Sequence, residues 1–440
     1  MKIKVTAKDF DQVQKISSYP YKNPKRQSWF WRFLIKTLSK GELKAVNFSY
    51  TTQGMEALSK NEPCLILMNH SSFTDLQIAG TIFADREYHI VCTNDGFVGK
   101  ESLMRDLGCI PTRKFITDIT LLKSMQYVFD KLHASVLMYP EASYSFDGTQ
   151  TPLPFSLVKS LKLFNVPVVM IKTHGAFLRD PLYNNLQKRN VTVTAEVKYI
   201  LSPKDITEKS VEELYEILSK EFDYNHFAEQ LENNILITEP FRADGLNRVL
   251  YKCPHCLSEG YMKGRGINLK CEKCGSTWEL LPNGNLQETS VNNGEIAGNN
   301  QATSFTSIPE WYKWERQKVK EEILAGTYKM EEAVEIMILK DLKSIYKAGE
   351  GKLLHTRQGF ELTGCNGKLQ FKLSGKASYS LYADYFWYEL GDMICIGDTK
   401  TQYYCFPKNQ EKAIVAKARL ATEEIYKLTR LFKLQFKLAN

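Results

Sequence analysis

The sequence predicts an α/β domain, then a small metal-binding module, then a mostly β region that ends in a helix. Three observations predict this. Between residues 46 and 205, short apolar runs alternate with helix-compatible stretches, the pattern of a sheet flanked by helices. Residues 249–286 hold two Cys-x-x-Cys pairs. Residues 352–407 read as short strands separated by turn residues, ahead of a final helix from about 409 to 435.

Composition bounds the function. The chain has 440 residues, 43% hydrophobic and 25% charged, which excludes a wholly disordered chain, a collagen and a small disulfide scaffold. A mean hydropathy of -0.33 argues against a polytopic membrane protein, as does the lack of an apolar run of roughly 18 residues. The opening MKIKVTAKDFDQVQ lacks the apolar core of a secretory signal, so a cytoplasmic location is expected. The net charge of +8 suits anionic lipid, phosphorylated small molecules or nucleic acid, and alone chooses none of them. Of ten cysteines, six are scattered, which fits a reducing compartment with one metal site.

The elements follow in order. Residues 1–45 are expected to form a basic, amphipathic, membrane-associating segment. Within it, Ser28 is placed to cap and Gly41 to end SWFWRFLIKTLSK, where Trp29, Phe30, Trp31 and Phe33 lie among Arg32, Lys36 and Lys40. Packing of this helix on the main domain is the alternative. Residues 46–245 form the α/β domain. Its strands are expected at 64–69, 87–92, 135–140, 166–173 and 191–200. Its helices are expected at 75–84, at 118–133 behind a Thr117 cap, and at 207–234. Residues 246–284 form the Cys-rich module and 285–308 a polar linker. Residues 309–440 hold a helical region to about 347, strand-like runs that include YFWYEL, and the terminal helix.

The chemistry concentrates in NHSSFTD, Asn69 to Asp75. A buried strand ends at Asn69, and His70 and Asp75 follow with four residues between them. A neutral imidazole can take the proton of an attacking hydroxyl near pH 7. A carboxylate on its other nitrogen fixes the tautomer and stabilises the imidazolium. A strand end leading into a helix sets both groups at the rim of the sheet, where α/β folds bind ligands. The bland alternative is a turn histidine beside a capping carboxylate.

Three further segments change that balance. LGCIPTRK carries Gly108, Ile110 and Arg113; YPEASYS carries Pro140, Glu141 and Ser145; Val166-Pro167-Val168 opens a strand. With NHSSFTD these resemble, in order and spacing, the four sequence blocks of the glycerophospholipid acyltransferase family, which includes 1-acylglycerol-3-phosphate acyltransferases. The resemblance spans roughly residues 46–200. It implies an enzyme that moves a fatty acyl chain from acyl-CoA or acyl-carrier protein to the hydroxyl of a lysophospholipid acceptor, first of all 1-acylglycerol-3-phosphate, giving phosphatidate. His70 would be the general base and Asp75 its orienting partner. Arg113 would hold the acceptor phosphate, and Glu141 would sit at the acceptor site or brace the loop around it. Gly108 and Ser145 complete the expected substrate-binding set. A peripheral position on the inner face of the membrane follows from the same resemblance and the basic N-terminal segment.

The third block departs from the family. Its usual Gly, Thr and Arg are here Ala142, Ser143 and Tyr144. Ala142 narrows the room a glycine would leave, and Tyr144 removes a fixed positive charge. The departure leaves the reaction class standing and opens the acceptor to another lysophospholipid or a phosphate-free hydroxyl. It also supports an alternative in which an altered scaffold serves as a membrane- or protein-binding module.

The second strong signal is Cys253-Pro-His-Cys256 followed by Cys271-Glu-Lys-Cys274. Two such pairs can close a tetrahedron of thiolates around Zn2+ with no open position, a structural site resembling a zinc ribbon. His255 reads as a bystander. Nucleic-acid binding through the ribbon is the weaker reading, since no dense basic stripe accompanies it. The β-rich C-terminal region suits a pleckstrin-homology-like domain by fold-level analogy, with lipid headgroups or an oligomer partner as its ligand.

Overall fold

The computed structural model describes residues 2–116, 118–290 and 304–438. Thr117, the expected helix cap, and most of the expected linker lie outside the described residues. The chain divides into two compact units. One comprises Tyr19–Asp180 and Asn190–His226; the other comprises Met1–Ser18, Pro181–Arg189 and Phe227–Asn440. One division therefore falls between Ser18 and Tyr19, inside the expected 1–45 segment.

The first unit is built on a seven-stranded sheet. Its order is Ser49–Gln53, Thr194–Leu201, Val168–His174, Leu65–Met68, Ser135–Met138, Tyr88–Thr93, Cys109–Thr112. The last five are parallel to one another. Thr194–Leu201 runs antiparallel to Val168–His174 and parallel to Ser49–Gln53. Leu65–Met68 is central and wholly buried, which is why its sequence is a continuous apolar run rather than an alternating one. Leu65, Leu67, Val136 and Met170 join one core with Leu157 and Leu161 of helix Ser156–Phe164 and Leu214 and Leu218 of helix Val211–Glu221.

Two helix expectations need correction here. The expected 118–133 helix is capped by Asp118, whose carboxylate accepts from Thr120 N at 2.9 Å. It is α-helical over Ile119–Tyr127 and widens to a π-helical turn over Val128–Leu132. The expected 207–234 helix is three helices, Pro203–Glu208, Val211–Glu221 and His226–Glu232. Ser210 and Glu213 form a reciprocal capping box, which starts a new helix inside the periodic stretch.

The second unit holds a four-stranded antiparallel sheet, Met262–Arg265, Asn268–Cys271, Thr277–Leu280 and Leu286–Ser290. Helix Ile308–Leu324 follows, and then a mostly β region with a terminal helix, Ile414–Leu438. The helical region expected to about 347 ends at Leu324. Gly326, with φ +73, follows the helix, and Lys329–Leu339 is a long strand paired with Ile345–Thr356. Its buried Met330, Val334, Ile336 and Ile338 carry the two-residue period, which the interspersed glutamates mask. YFWYEL is not a strand. Phe386 and Tyr388 adopt φ of 50 and 47, and a 3-10 turn at Trp387–Glu389 buries Tyr385 and Trp387. Near the N-terminus, Val5–Ala7 is a three-residue strand parallel to Ile345–Thr356, too short to read from a polar sequence. Among the described residues, no helix is long and apolar enough to cross a membrane.

Gly175 turns the chain at the end of strand Val168–His174. Its φ is +76, and a Cβ there would lie 2.3 Å from the Thr192 carbonyl oxygen. Gly175→Ala therefore combines left-handed strain with a backbone clash and is expected to cost about 2 kcal/mol or more, read as a lower urea midpoint at unchanged slope.

Candidate active site

The site is assembled at the end of the central strand. Asn69 ends Leu65–Met68 and locks it to the neighbouring strand. Its carbonyl oxygen accepts from Thr173 N at 2.8 Å and from Thr173 Oγ1 at 3.1 Å, and its amide nitrogen donates to Ser71 Oγ at 3.2 Å. Ser71 Oγ in turn lies 3.2 Å from Nε2 of the buried His226, whose ring stacks on Phe177. The chain direction out of the strand is thus fixed by side chains before His70 is reached.

His70 and Asp75 meet. Nδ1 of His70 lies 3.0 Å from Asp75 Oδ2. The same oxygen accepts from Ser71 N at 2.9 Å and Ser72 N at 3.2 Å, at the start of helix Asp75–Ile82. Asp75 is 1% exposed, so these donors hold a carboxylate that has left water. His70 Nε2 forms no hydrogen bond with the described residues. Burial lowers the His70 pKa below its ordinary value; Asp75 opposes the shift and the charge of Lys114 adds to it. The ring is therefore neutral at pH 7.

Two tyrosines enclose that ring. Tyr139 and Tyr144 stack on it with centroids at 4.2 and 4.0 Å and interplanar angles of 27° and 26°. At those distances they fit only on opposite faces. Tyr144, one of the departures noted in the third block, forms one wall of an aromatic clamp. Phe73, exposed at the rim, lies 5.9 Å from Tyr144.

Glu141 is a brace. Its Oε2 accepts from His70 N at 3.2 Å. Its Oε1 accepts from Thr151 N at 2.8 Å, Thr151 Oγ1 at 3.0 Å and Tyr224 Oη at 2.7 Å. Burial pushes its pKa up against those donors. Ser145 joins the same loop: its N donates to His70 O at 3.4 Å and its Oγ to Thr149 O at 2.6 Å. Arg113 is not gathered in this way. It pairs with Asp118 at 2.5 Å and lies over the Tyr19 ring at 4.9 Å, with no hydrogen bond or ion pair to His70, Asp75 or Glu141. Gly108 is the turn before strand Cys109–Thr112, with φ +82.

Sequence reasoning did not find Thr151, Tyr224, His226 or Asp180. Asp180 is buried and its pKa is raised to about 7, first by burial and then, against a hydrogen bond from Ser72, by the charge of Asp75. Thr151 lies six residues past the third block, Asp180, Tyr224 and His226 lie beyond the fourth, and no local spacing marks any of them.

Residues 49–172 match the family model described as Acyltransferase, a segment that contains His70, Asp75, Arg113, Glu141 and Ser145. Among solved structures, the chain is similar to the 1-acyl-sn-glycerophosphate (LPA) acyltransferase PlsC from Thermotoga maritima. The identity is 16%, the match covers 43% of this chain and 76% of that one, and the TM-score is 0.35. No curated protein matches the sequence. The chain thus carries an acyltransferase segment, with the cysteine module and the β-rich region outside it.

In the other unit, the Sγ atoms of Cys253, Cys256, Cys271 and Cys274 lie within 4.8 Å of one another, a donor set able to hold a metal ion. Gly275 after the second pair has φ +81, and its counterpart after the first pair is Leu257, with φ 57.

Ala142 keeps the backbone that a glycine would adopt, with φ 56 in a turn closed by Ala142 N donating to Tyr139 O. A Cβ in that region is strained. Ala142→Gly is expected to stabilise the protein by about 0.5 kcal/mol, since relief of strain is partly offset by the freer unfolded chain. Urea titration of both proteins checks it.

Proposed function

We propose that the protein transfers a fatty acyl chain from acyl-CoA or acyl-carrier protein to the hydroxyl of a lysophospholipid, 1-acylglycerol-3-phosphate first, giving phosphatidate. One observation carries this reading: His70 Nδ1 is held by a buried carboxylate while Nε2 has no hydrogen-bond partner among the described residues. In the proposed step, Nε2 takes the acceptor's hydroxyl proton as that oxygen attacks the thioester carbonyl. The C–S bond breaks, and the proton passes from His70 to the departing thiolate. Asp75 stays ionised and steadies the imidazolium. Glu141, with Ser145, positions the His70 backbone. The protein works at a membrane surface, on the cytoplasmic face.

His70→Ala tests the proposal. The transfer rate is expected to fall about 100- to 10,000-fold with an unchanged melting curve; an unaltered rate would overturn it. The pH profile is a second readout. The base works unprotonated and burial lowers its pKa from the ordinary imidazole value, so the acid-side fall of kcat/KM is expected at a lower pH than for an exposed histidine.

A second acceptor reading has its own support. Arg113 is already neutralised by Asp118, and Tyr144 replaces a cation. Both favour an acceptor without a phosphate at that point. Tyr144→Arg is expected to raise the kcat/KM ratio of lysophosphatidate over monoacylglycerol at least about tenfold, because a charged donor is restored. The ratio cancels any general damage to His70.

We further infer that the cysteine cluster binds one structural zinc ion. The Sγ separations of 3.6 Å (Cys253–Cys274) and 3.7 Å (Cys256–Cys271) match the edge of about 3.8 Å in a tetrahedron with 2.3 Å Zn–S bonds. They are far longer than a disulfide. Metal analysis is expected to find one zinc per chain, and Cys271→Ser to lose it and lower Tm.

A further inference from the structure

Helix Trp29–Ala45 packs through a narrow face. Ser39 and Leu43 are buried, and Ile35 lies against Gly80 of helix Asp75–Ile82. Its exposed side divides along its length. Trp29, Phe30 and Phe33 are 70%, 49% and 59% exposed at the N-terminal end. Lys36 follows Phe33 by three residues, and Lys40 and Lys44 follow at four, spacings that keep the lysines on the same side of the helix as Trp29 and Phe33. The three lysines line an open surface depression of about 510 Å³ with Leu43, Asn47, Phe48 and Thr81. Among the described residues, no acidic side chain lines it. None of the three forms an ion pair or side-chain hydrogen bond with the described residues, whereas the cations just before the helix are matched: Lys22 to Glu101, Lys25 to Asp106 and Arg26 to Glu87. Three like charges around one depression repel one another, and an anion that enters relieves that repulsion.

We propose that this groove binds the phosphate headgroups of anionic phospholipids in a bilayer, while Trp29, Phe30 and Phe33 enter its interface. Aromatic side chains suit the boundary between acyl chains and water, and the lysines follow at the level of the headgroups along the same helix. The proposal builds on the reading that the protein works at a membrane surface, and it names the lipid class and the residues that select it. It does not depend on the chemistry at His70.

Vesicle co-sedimentation of the full chain tests it. The probes are phosphatidylcholine vesicles with and without phosphatidylglycerol. Wild type is expected to bind the anionic vesicles more tightly and to release with added salt. The triple variant Lys36→Gln, Lys40→Gln, Lys44→Gln is expected to bind them about 100-fold more weakly. Lys40→Glu alone gives the same direction with less perturbation. Trp29→Ser with Phe33→Ser is expected to weaken binding to both kinds of vesicle. His70→Ala is expected to bind as wild type does, and the triple variant to keep its turnover on a water-soluble short-chain acceptor, which separates failure of this site from failure of the acyl-transfer reading. Equal binding by wild type and the triple variant would overturn the proposal. So would equal binding to neutral and anionic vesicles. Full competition by millimolar inorganic phosphate would overturn it too, because the ligand would then be a free phosphate.

Discussion

The site depends on a carboxylate taken out of water. Asp75 is buried at the start of a helix, and ionising it there requires donors. It has three: two backbone N–H groups of the turn that follows the strand, and the Nδ1–H of His70. One requirement therefore fixes the turn, the tautomer and the ring. The rest of the unit serves it. Asn69 ties the strand end to its neighbour, Glu141 ties the His70 backbone to the next loop, and the two tyrosines hold the ring plane.

The aromatic clamp has two consequences that pull apart. Desolvation by two rings makes the imidazolium harder to form, while their π faces and Asp75 favour it once formed. Burial outweighs Asp75 in the resting protein, so the His70 pKa lies below its ordinary value. One of these rings, Tyr144, stands at the third-block position where the resemblance leads one to expect a cation.

Much of this was legible in the sequence. The central strand shows as a continuous apolar run, and His70, Asp75 and Glu141 show as ordered blocks. The cysteine pairs show by spacing alone. What stayed hidden has physical reasons. Lys329–Leu339 alternates apolar and acidic residues in a way that also suits a helix. Ser210 is a common residue whose capping role depends on Glu213 reaching back to it. Thr151 reaches Glu141 from ten residues along the chain and Tyr224 from 83, and no local spacing encodes either contact. Arg113 follows its block, yet Asp118, five residues on, takes its charge. Ala142 looked like a loss of space, but the backbone there keeps the left-handed form at a cost in strain.

The central claim is that His70 is a neutral base with its proton held on Nδ1 by Asp75. Nitrogen-15 NMR of the His70 imidazole across pH tests it most directly. The account predicts a neutral ring at pH 7, protonated on Nδ1 and bare on Nε2, with a midpoint below 6.5. A proton on Nε2 in the neutral ring, or a charged ring at pH 7, would contradict it.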